Sequence, residues 1–437
     1  MVAARSAPRT IDFTLMILAL TVTVLGILLV FDASYNYALQ MRMSTFRYVG
    51  QQAMWAVVGV VAMIWAAYYP YWKWRALGLY GVAISFLLLV LVLIPHIGTE
   101  VNGAYRWISI GPLRIQPSEF AKLAVVLYVA HVCAGRMDVM RHFGKCAWPK
   151  LRIIGILAAL TAVEPDLGTS IVLFVGGLGA MFFAGMKFRH AVATLLAALA
   201  LVGLLLGFKS LRHHSGPASS SSFQVQRLLV FLHPEKYKQG DGYQVFHSLV
   251  ALGSGGLLGR GIGEGREKMY LPEAHTDFIF SVLGEECGLV GSLIMLALLA
   301  ALVGRGFHIA ASSKDPYGAL LAAGISMIFG LQTFINIGVV TSSIPATGVP
   351  LPFESYGGSS LVISLIMIGI LLNVARFPQG DPAQTTEDSE APSARDFDRR
   401  WNRGSTLSRP EYRQDRVYTG DTGSRFSAAG TPRYVDS

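Results

Sequence analysis

Ten apolar segments recur along the first 375 residues and leave few folds open. They run approximately 11–32, 49–69, 76–95, 117–134, 152–163, 167–185, 190–208, 278–303, 317–340 and 358–375. A hydrocarbon core about 30 Å thick is crossed by roughly 20 apolar residues in a helix. Inside it every backbone N–H and C=O must be paired within its own segment, so each run is predicted to be an α-helix. Composition points the same way. Of 437 residues, 53% are apolar and only 14% charged, against about 25% charged in a soluble protein. The expected class is all-α, a polytopic integral membrane protein with about ten transmembrane helices. The first run, Phe13 to Phe31, reads as a retained span rather than a signal peptide, because no small-x-small cleavage site follows it.

Charge sets the expected orientation. Lys73, Arg75, Arg136, Arg141, Lys145, Lys150, Arg152, Lys187, Arg189, Arg305 and Lys314 fall in alternate short loops, with Arg5 and Arg9 on the same side. The opposite short loops hold only Arg42, Arg47, Arg106 and Arg114. The positive-inside rule then places both termini in the cytoplasm and the long segment 209–276 outside. The expected organisation is a cytoplasmic N-terminus (1–10), a ten-span domain (11–376) and a disordered cytoplasmic tail (377–437). After Ala375, ten Arg offset ten Asp and Glu among Ser, Thr, Pro and Gly, a composition that cannot bury a core. The net charge of +9 does not indicate nucleic acid, since the basic residues lie between apolar segments rather than on one face. Cys133, Cys146 and Cys287 are too scattered for a disulfide framework or a metal site.

Polar residues at the membrane boundary narrow the function. Glu273, His275 and Asp277 stand just ahead of the eighth span, and Glu285 and Glu286 sit within it. Ionisable groups at such depths are costly, which makes them functional candidates. Asp277 has a competing reading as a helix N-cap. For the adjacent pair Glu285 and Glu286 a structural role is favoured. In VNGAYRWISIGPLRIQPSEFAKL (101–123), Pro117 suits a first helical turn. Glu119 and Lys122 then share a face at i and i+3. Arg106 and Arg114 precede them and have the planar fork that binds phosphate oxygens. The competing reading is an interfacial basic pair and a structural ion pair. IPATGVPLPFESYGGSS (344–360), rich in Pro and Gly, is expected to be an irregular, re-entrant-like loop, tolerated at membrane depth only when buried in protein or lining a wet cavity. Ser355 and Ser359 are its candidate substrate-binding hydroxyls. The glycines of ALGSGGLLGRGIG (251–263) match neither GxGxxG nor a P-loop, so they are read as bends and close packing.

Five blocks, NGAYRWISIGPLRIQPSEFAK, EPDLGTS, SLVALGSGGLLGRGIG, KMYLPEAHTDFIFSVLGEECGLVG and PATGVPLPFESYGGSS, resemble the signature segments of the SEDS family (shape, elongation, division and sporulation), which comprises FtsW, RodA and SpoVE. The resemblance spans about residues 11–376. It implies a peptidoglycan glycosyltransferase of the bacterial plasma membrane that polymerises lipid II. The family's essential acid carries over to Asp277, and its substrate-holding positions to Arg106, Arg114, Glu119 and Lys122. Glu164 stands where the family often has Gln, and Glu354 where the residue is usually apolar or small. HSLVALGSGG with EKMYLPEAHTDF looks more like the division branch, FtsW, while GVPLP is nearer the elongation branch, RodA. The implied chemistry is an inverting displacement with Asp277 as general base. Cations at Arg106, Arg114 and Lys122 would meet the departing diphosphate, with a divalent cation (Mg or Mn) as an optional helper. A class B penicillin-binding transpeptidase and other divisome or elongasome proteins are the implied partners. A lipid II flippase and a non-catalytic scaffold of the division machinery are the rival function classes.

Overall fold

The computed structural model describes residues 9–101, 104–111, 113–135, 140, 143–212, 227, 230–231, 240, 242–272 and 274–379. The low-complexity stretch 213–223 and, from residue 380, the expected disordered tail with Arg399, Arg400 and Arg403 lie outside them.

Every predicted apolar segment coincides with a helix. In chain order these are α1 (Phe13–Gln40), α2 (Arg47–Tyr68), α3 (Trp74–Val92), α4 (Pro117–Ala134), α5 (Trp148–Val163), α6 (Leu167–Phe183) and α7 (Phe188–Arg212), then α8 (Tyr243–Gly255), which was not expected, α9 (Ile279–Ser312), α10 (Pro316–Val340) and α11 (Gly358–Arg376). Among the described residues, seven stretches, ending in α1, α2, α3, α4, α9, α10 and α11, are long and apolar enough to cross a membrane, and α6 and the start of α7 are shorter apolar helices. The chain is a multi-pass membrane protein.

Local chemistry starts several of these helices. The Asp12 carboxylate accepts from Leu15 N at 3.1 Å, and the Asp315 carboxylate from Gly318 N at 2.9 Å ahead of Pro316. Each supplies an acceptor to a first-turn N–H that has none within the helix. Burial sorts the bundle into a centre and a rim. The apolar windows of α4, α10 and α11 are 78%, 72% and 72% buried, whereas those of α2 and α3 are 28% and 22%. Small residues permit the closest crossings, as expected where lipid gives no hydrophobic drive to helix association. Where α2 crosses α11, a Cβ added at Gly369 would meet Met63 O at 2.3 Å.

Two features depart from plain helices. A three-stranded antiparallel sheet, β1 (Gly98–Val101), β2 (Ala104–Ile110) and β3 (Leu113–Ile115), sits between α3 and α4 in order β1-β2-β3. Its sequence signal was present in the aromatic and β-branched run AYRWISI followed by a Gly-Pro turn. It adds a small β element to an otherwise helical chain. The second departure is a break in α9 at Gly288 (φ 65°, ψ −164°), a conformation open in practice only to glycine. The glycine-rich segment fills the break. Arg260 N and Gly261 N donate to Glu285 O and Glu286 O at 3.0 Å each, while Leu289 N and Val290 N donate to Gly256 O and Leu257 O at 2.9 and 3.1 Å. The backbone groups freed by the break are thereby paired inside the protein.

The favoured structural role of Glu285 and Glu286 fits what their side chains touch. Glu285 accepts from Arg266 N and Glu267 N at 2.9 and 3.0 Å. Glu286 accepts from Gly263 N at 3.0 Å and lies 2.6 Å from Lys268 Nζ, which also reaches Asp32 Oδ1 on α1 at 2.6 Å. Both acids therefore tie down the segment that leads to Asp277.

Candidate active site at the sheet end of the bundle

Four stretches far apart in sequence meet at the end of the bundle that carries the sheet. They are β2, the α5–α6 turn, the residues before α9 and the irregular loop between α10 and α11. That loop is buried, with Val349, Leu351, Phe353 and Glu354 all at 3% exposure or less.

Asn336 on α10 fixes the loop to the candidate acid. Its buried Nδ2 donates both to Asp277 O and to Val349 O, each at 2.8 Å. Phe278, not Asp277, occupies the N-cap position of α9. The Asp277 carboxylate lies against Gly348 (φ +76°), where an added Cβ would be 3.4 Å from Asp277 Oδ2. The same loop rests on the start of α6, since a Cβ at Gly168 would meet Thr347 O at 2.6 Å.

Arg106 reaches across from β2. Its Nε donates to Glu164 O at 3.2 Å and its Nη2 to Pro165 O. A guanidinium there complements the negative end of the α5 dipole. Asp166, the N-cap of α6, accepts from Thr169 N through Oδ1 and from Gln116 Nε2 through Oδ2, each at 3.1 Å. Gln116 N in turn donates to Ser359 Oγ at 3.3 Å, and Leu351 N donates to Ser355 Oγ at 2.8 Å. Both candidate serines thus hold the backbone that shapes the site.

The remaining candidates separate into distinct places. Lys122 Nζ and Glu119 Oε2 are 2.7 Å apart with each side chain 1% exposed, so their charges are sealed in α4. The contact is an ion pair outside hydrogen-bonding alignment. Arg114 on β3 is exposed and lies, with Arg47, in the electrostatic neighbourhood of Tyr356. His275 is 4% exposed, packed among Tyr37, Tyr48 and Tyr356 at ring distances of 5.6, 4.9 and 5.4 Å. Burial lowers its pKa to about 4, so it is neutral at pH 7. Glu273 lies outside the described residues.

Three residues not singled out as site candidates from the sequence belong here. Asp166 and Asn336 are two. The third is Arg227, whose Nη1 donates to Ala346 O at 3.2 Å. Its pKa is lowered by burial first and by Arg106 second, against the opposing pull of Asp277 and Asp166. It came from an amphipathic stretch of the long loop, a pattern that gives no indication of where a side chain ends up.

Glu164 is fully buried and neither carboxylate oxygen has a hydrogen-bond partner. Its pKa is pushed up to about 9, by burial first and by Asp166 second, with Arg106 opposing. A neutral carboxyl matches an amide in size and charge, so Gln would fit the same pocket. Glu354 is likewise fully buried, beside Gly26 of α1, and burial raises its pKa well above the usual carboxyl range.

Among the described residues no group of three or more His, Cys, Asp or Glu converges as a metal cage. The donor set does not fit a metal held by protein alone. What the arrangement offers chemically is a carboxylate at Asp277, positioned by its own backbone and within electrostatic reach of the Arg227 guanidinium. Such a site can accept a proton and steady developing negative charge.

Comparison with known proteins identifies the family. The cell cycle protein family of FtsW, RodA and SpoVE matches residues 12–380. Stage V sporulation protein E of Bacillus subtilis (strain 168) is 39% identical over 367 residues, covering 84% of this chain and 97% of that protein. A probable peptidoglycan glycosyltransferase FtsW of Geobacter metallireducens is 36% identical over 372 residues, covering 85% and 96%. Among solved structures, a chain described under structural coordination of polymerization and crosslinking by a peptidoglycan synthase complex aligns with TM-score 0.68 and 29% identity over 85% of this chain and 99% of that one. The rod shape determining protein RodA of Thermus thermophilus aligns with TM-score 0.61 and 27% identity at the same coverage. With its family profile matched across residues 12–380 and its helical fold shared with RodA, this chain belongs to the FtsW/RodA/SpoVE family of cell cycle proteins.

Proposed function

We propose that this chain is a peptidoglycan glycosyltransferase that polymerises lipid II at the outer face of the bacterial plasma membrane. The observation that carries this reading is the placement of the Asp277 carboxylate against Gly348, on the loop that Arg227 also bonds, in a chain 36% identical to a probable peptidoglycan glycosyltransferase. The donor is a sugar on a polyprenyl diphosphate and the acceptor is a sugar hydroxyl on a second lipid-linked molecule. Asp277 takes the proton of the acceptor 4-hydroxyl as its oxygen bonds to the donor anomeric carbon. The bond from that carbon to the diphosphate oxygen breaks, and its electron pair leaves with the diphosphate. An α-linked donor giving a β-linked polymer is inversion in one displacement, with no covalent enzyme intermediate. General base catalysis of this kind is worth about 10²–10⁴-fold. Arg106 and Arg114 receive the leaving diphosphate, while the sealed Glu119–Lys122 pair fixes the start of α4 beside it.

Both termini face the cytoplasm in this reading, which puts the sheet end outside, where lipid II presents its sugars. A class B penicillin-binding transpeptidase is the proposed partner, in keeping with the synthase complex whose chain shares this fold. The relatives named FtsW support the division branch over elongation. Depletion should then give filamentous rather than rounded cells. Asp277→Asn in the purified, full-length chain should abolish glycan polymerisation from lipid II in detergent while expression and folding persist. A variant that still polymerises would overturn the assignment of the base. Polymer formed in detergent also separates an enzyme from a flippase, which has no sidedness to act on there.

A further inference from the structure

Arg227 is delivered to the site by the long loop between α7 and α8 and has no part in the reaction as described above. Its surroundings give it one. The residues 346–349 form a hub: Ala346 O accepts from Arg227 Nη1 at 3.2 Å, Gly348 abuts the Asp277 carboxylate, and Val349 O shares the Asn336 amide with Asp277 O. Thr347 and Val349 rest on Gly168 of α6, two residues beyond Asp166. The charged groups acting on Arg227 come from three further elements, Arg106 on β2, Asp166 at the start of α6 and Asp277 ahead of α9. Glu164 adds a fourth titratable group at the end of α5.

We infer that Arg227 is a positioning residue for the reaction, whose guanidinium, clamped to the Ala346 carbonyl, keeps the Asp277 carboxylate ionised and aimed through the 346–349 hub. The physical reason lies in the charges around Arg227, which Asp277 and Asp166 attract and Arg106 repels. Arg227 lies within electrostatic reach of Asp277, and an opposite charge nearby favours the ionised form of an acid. A base must be ionised to accept a proton. Arginine suits the task better than lysine, because its fork holds a carbonyl and faces an anion together and keeps its charge when buried.

The inference rests on Asp277 being the base, and the test separates the two. Full-length Arg227→Gln, Arg227→Lys and Asp277→Asn are purified in detergent and assayed with lipid II across pH. Arg227→Gln should lose roughly 10–100-fold in kcat with KM nearly unchanged, a fraction of what a general base supplies. The acid limb of its kcat profile should move up by about one pH unit, the low end of what an opposite charge does to a carboxylate. Arg227→Lys, which keeps the charge, should leave the limb in place and kcat within about tenfold, as for a group that keeps its Coulombic role. Glu164 titrates higher, at about 9, and so does not set the acid limb. Wild-type kcat and limb in Arg227→Gln beside an inactive Asp277→Asn overturn this inference alone. Equal losses in the Gln and Lys variants with an unmoved limb overturn it too, reducing Arg227 to a loop anchor. If Arg227→Gln does not fold, Arg227→Lys decides: an unmoved limb supports the inference, and a shifted limb refutes it. An active Asp277→Asn refutes the base itself.

Discussion

Lys122→Met asks whether the charges in α4 hold the bundle or hold substrate. Lys122 Nζ stands 2.7 Å from Glu119 Oε2 and both side chains are 1% exposed, in a helix whose apolar window is 78% buried. Removing the cation alone leaves a carboxylate without its counter-charge at the centre of the protein. Orphaning one member of a buried pair costs about 3–5 kcal/mol. At about 1.4 kcal/mol per tenfold, the folded-to-unfolded ratio should fall by a factor of roughly a hundred to several thousand. Glu119→Gln combined with Lys122→Met removes both charges at nearly constant volume. That pair should return to within about 1 kcal/mol of the wild type, because an apolar or neutral substitute often replaces a buried ion pair with little loss. The assay is unfolding of the detergent-solubilised chain by sodium dodecyl sulfate, with lipid II polymerisation measured on the same samples. A single variant that loses less than about 1 kcal/mol would refute a sealed, mutually dependent pair. So would a double variant as unstable as the single. Restored stability with restored polymerisation assigns the pair to packing, and restored stability without activity assigns it to substrate.

Two further outcomes follow from the same geometry. Glu164 has a folded-state pKa of about 9, above its ordinary carboxyl value, so between those values the folded chain binds the extra proton. Its contribution to stability is therefore full at low pH and is lost as pH rises towards 9. The slope has an upper limit of about 1.4 kcal/mol per pH unit. Glu164→Gln should flatten that slope in thermal unfolding across pH 5–9 while polymerisation at pH 7 stays near wild type. A steep loss of activity at pH 7 would show that the proton is used in turnover. Asn336→Ala removes the amide that bridges Asp277 O and Val349 O, leaving two carbonyls without their donor at about 1–3 kcal/mol each. Misplacement of the acid should lower kcat much more than it raises KM. Equal effects on both would argue that the bridge does not position Asp277.

The bundle and part of the site could be read from the sequence because their signals are local. Hydropathy runs located all ten predicted helices, and the Pro117, Glu119 and Lys122 spacing placed an ion pair on one face of α4. The block before α9 pointed to Asp277, and the Pro- and Gly-rich run before α11 to a buried irregular loop. The sheet was also written locally, in AYRWISI, yet its strands are only four, seven and three residues long, too short to stand out beside long apolar runs. His275, Ser355 and Ser359 looked like groups for substrate, and the fold uses the ring in an aromatic cluster and both hydroxyls on backbone amides.

By itself the sequence determined which long apolar segments are helices and which few polar residues stand at their ends, because apolar runs and capping residues act over one or two turns. The tertiary structure alone decided the company those residues keep. Packing brought Arg227 onto the loop beside Asp277, set Arg106 on the carbonyls at the end of α5, and broke α9 at Gly288 to receive the glycine-rich segment. Such meetings join residues from 25 to 119 positions apart, and long-range burial, backbone pairing and electrostatics select them rather than any periodicity along the chain.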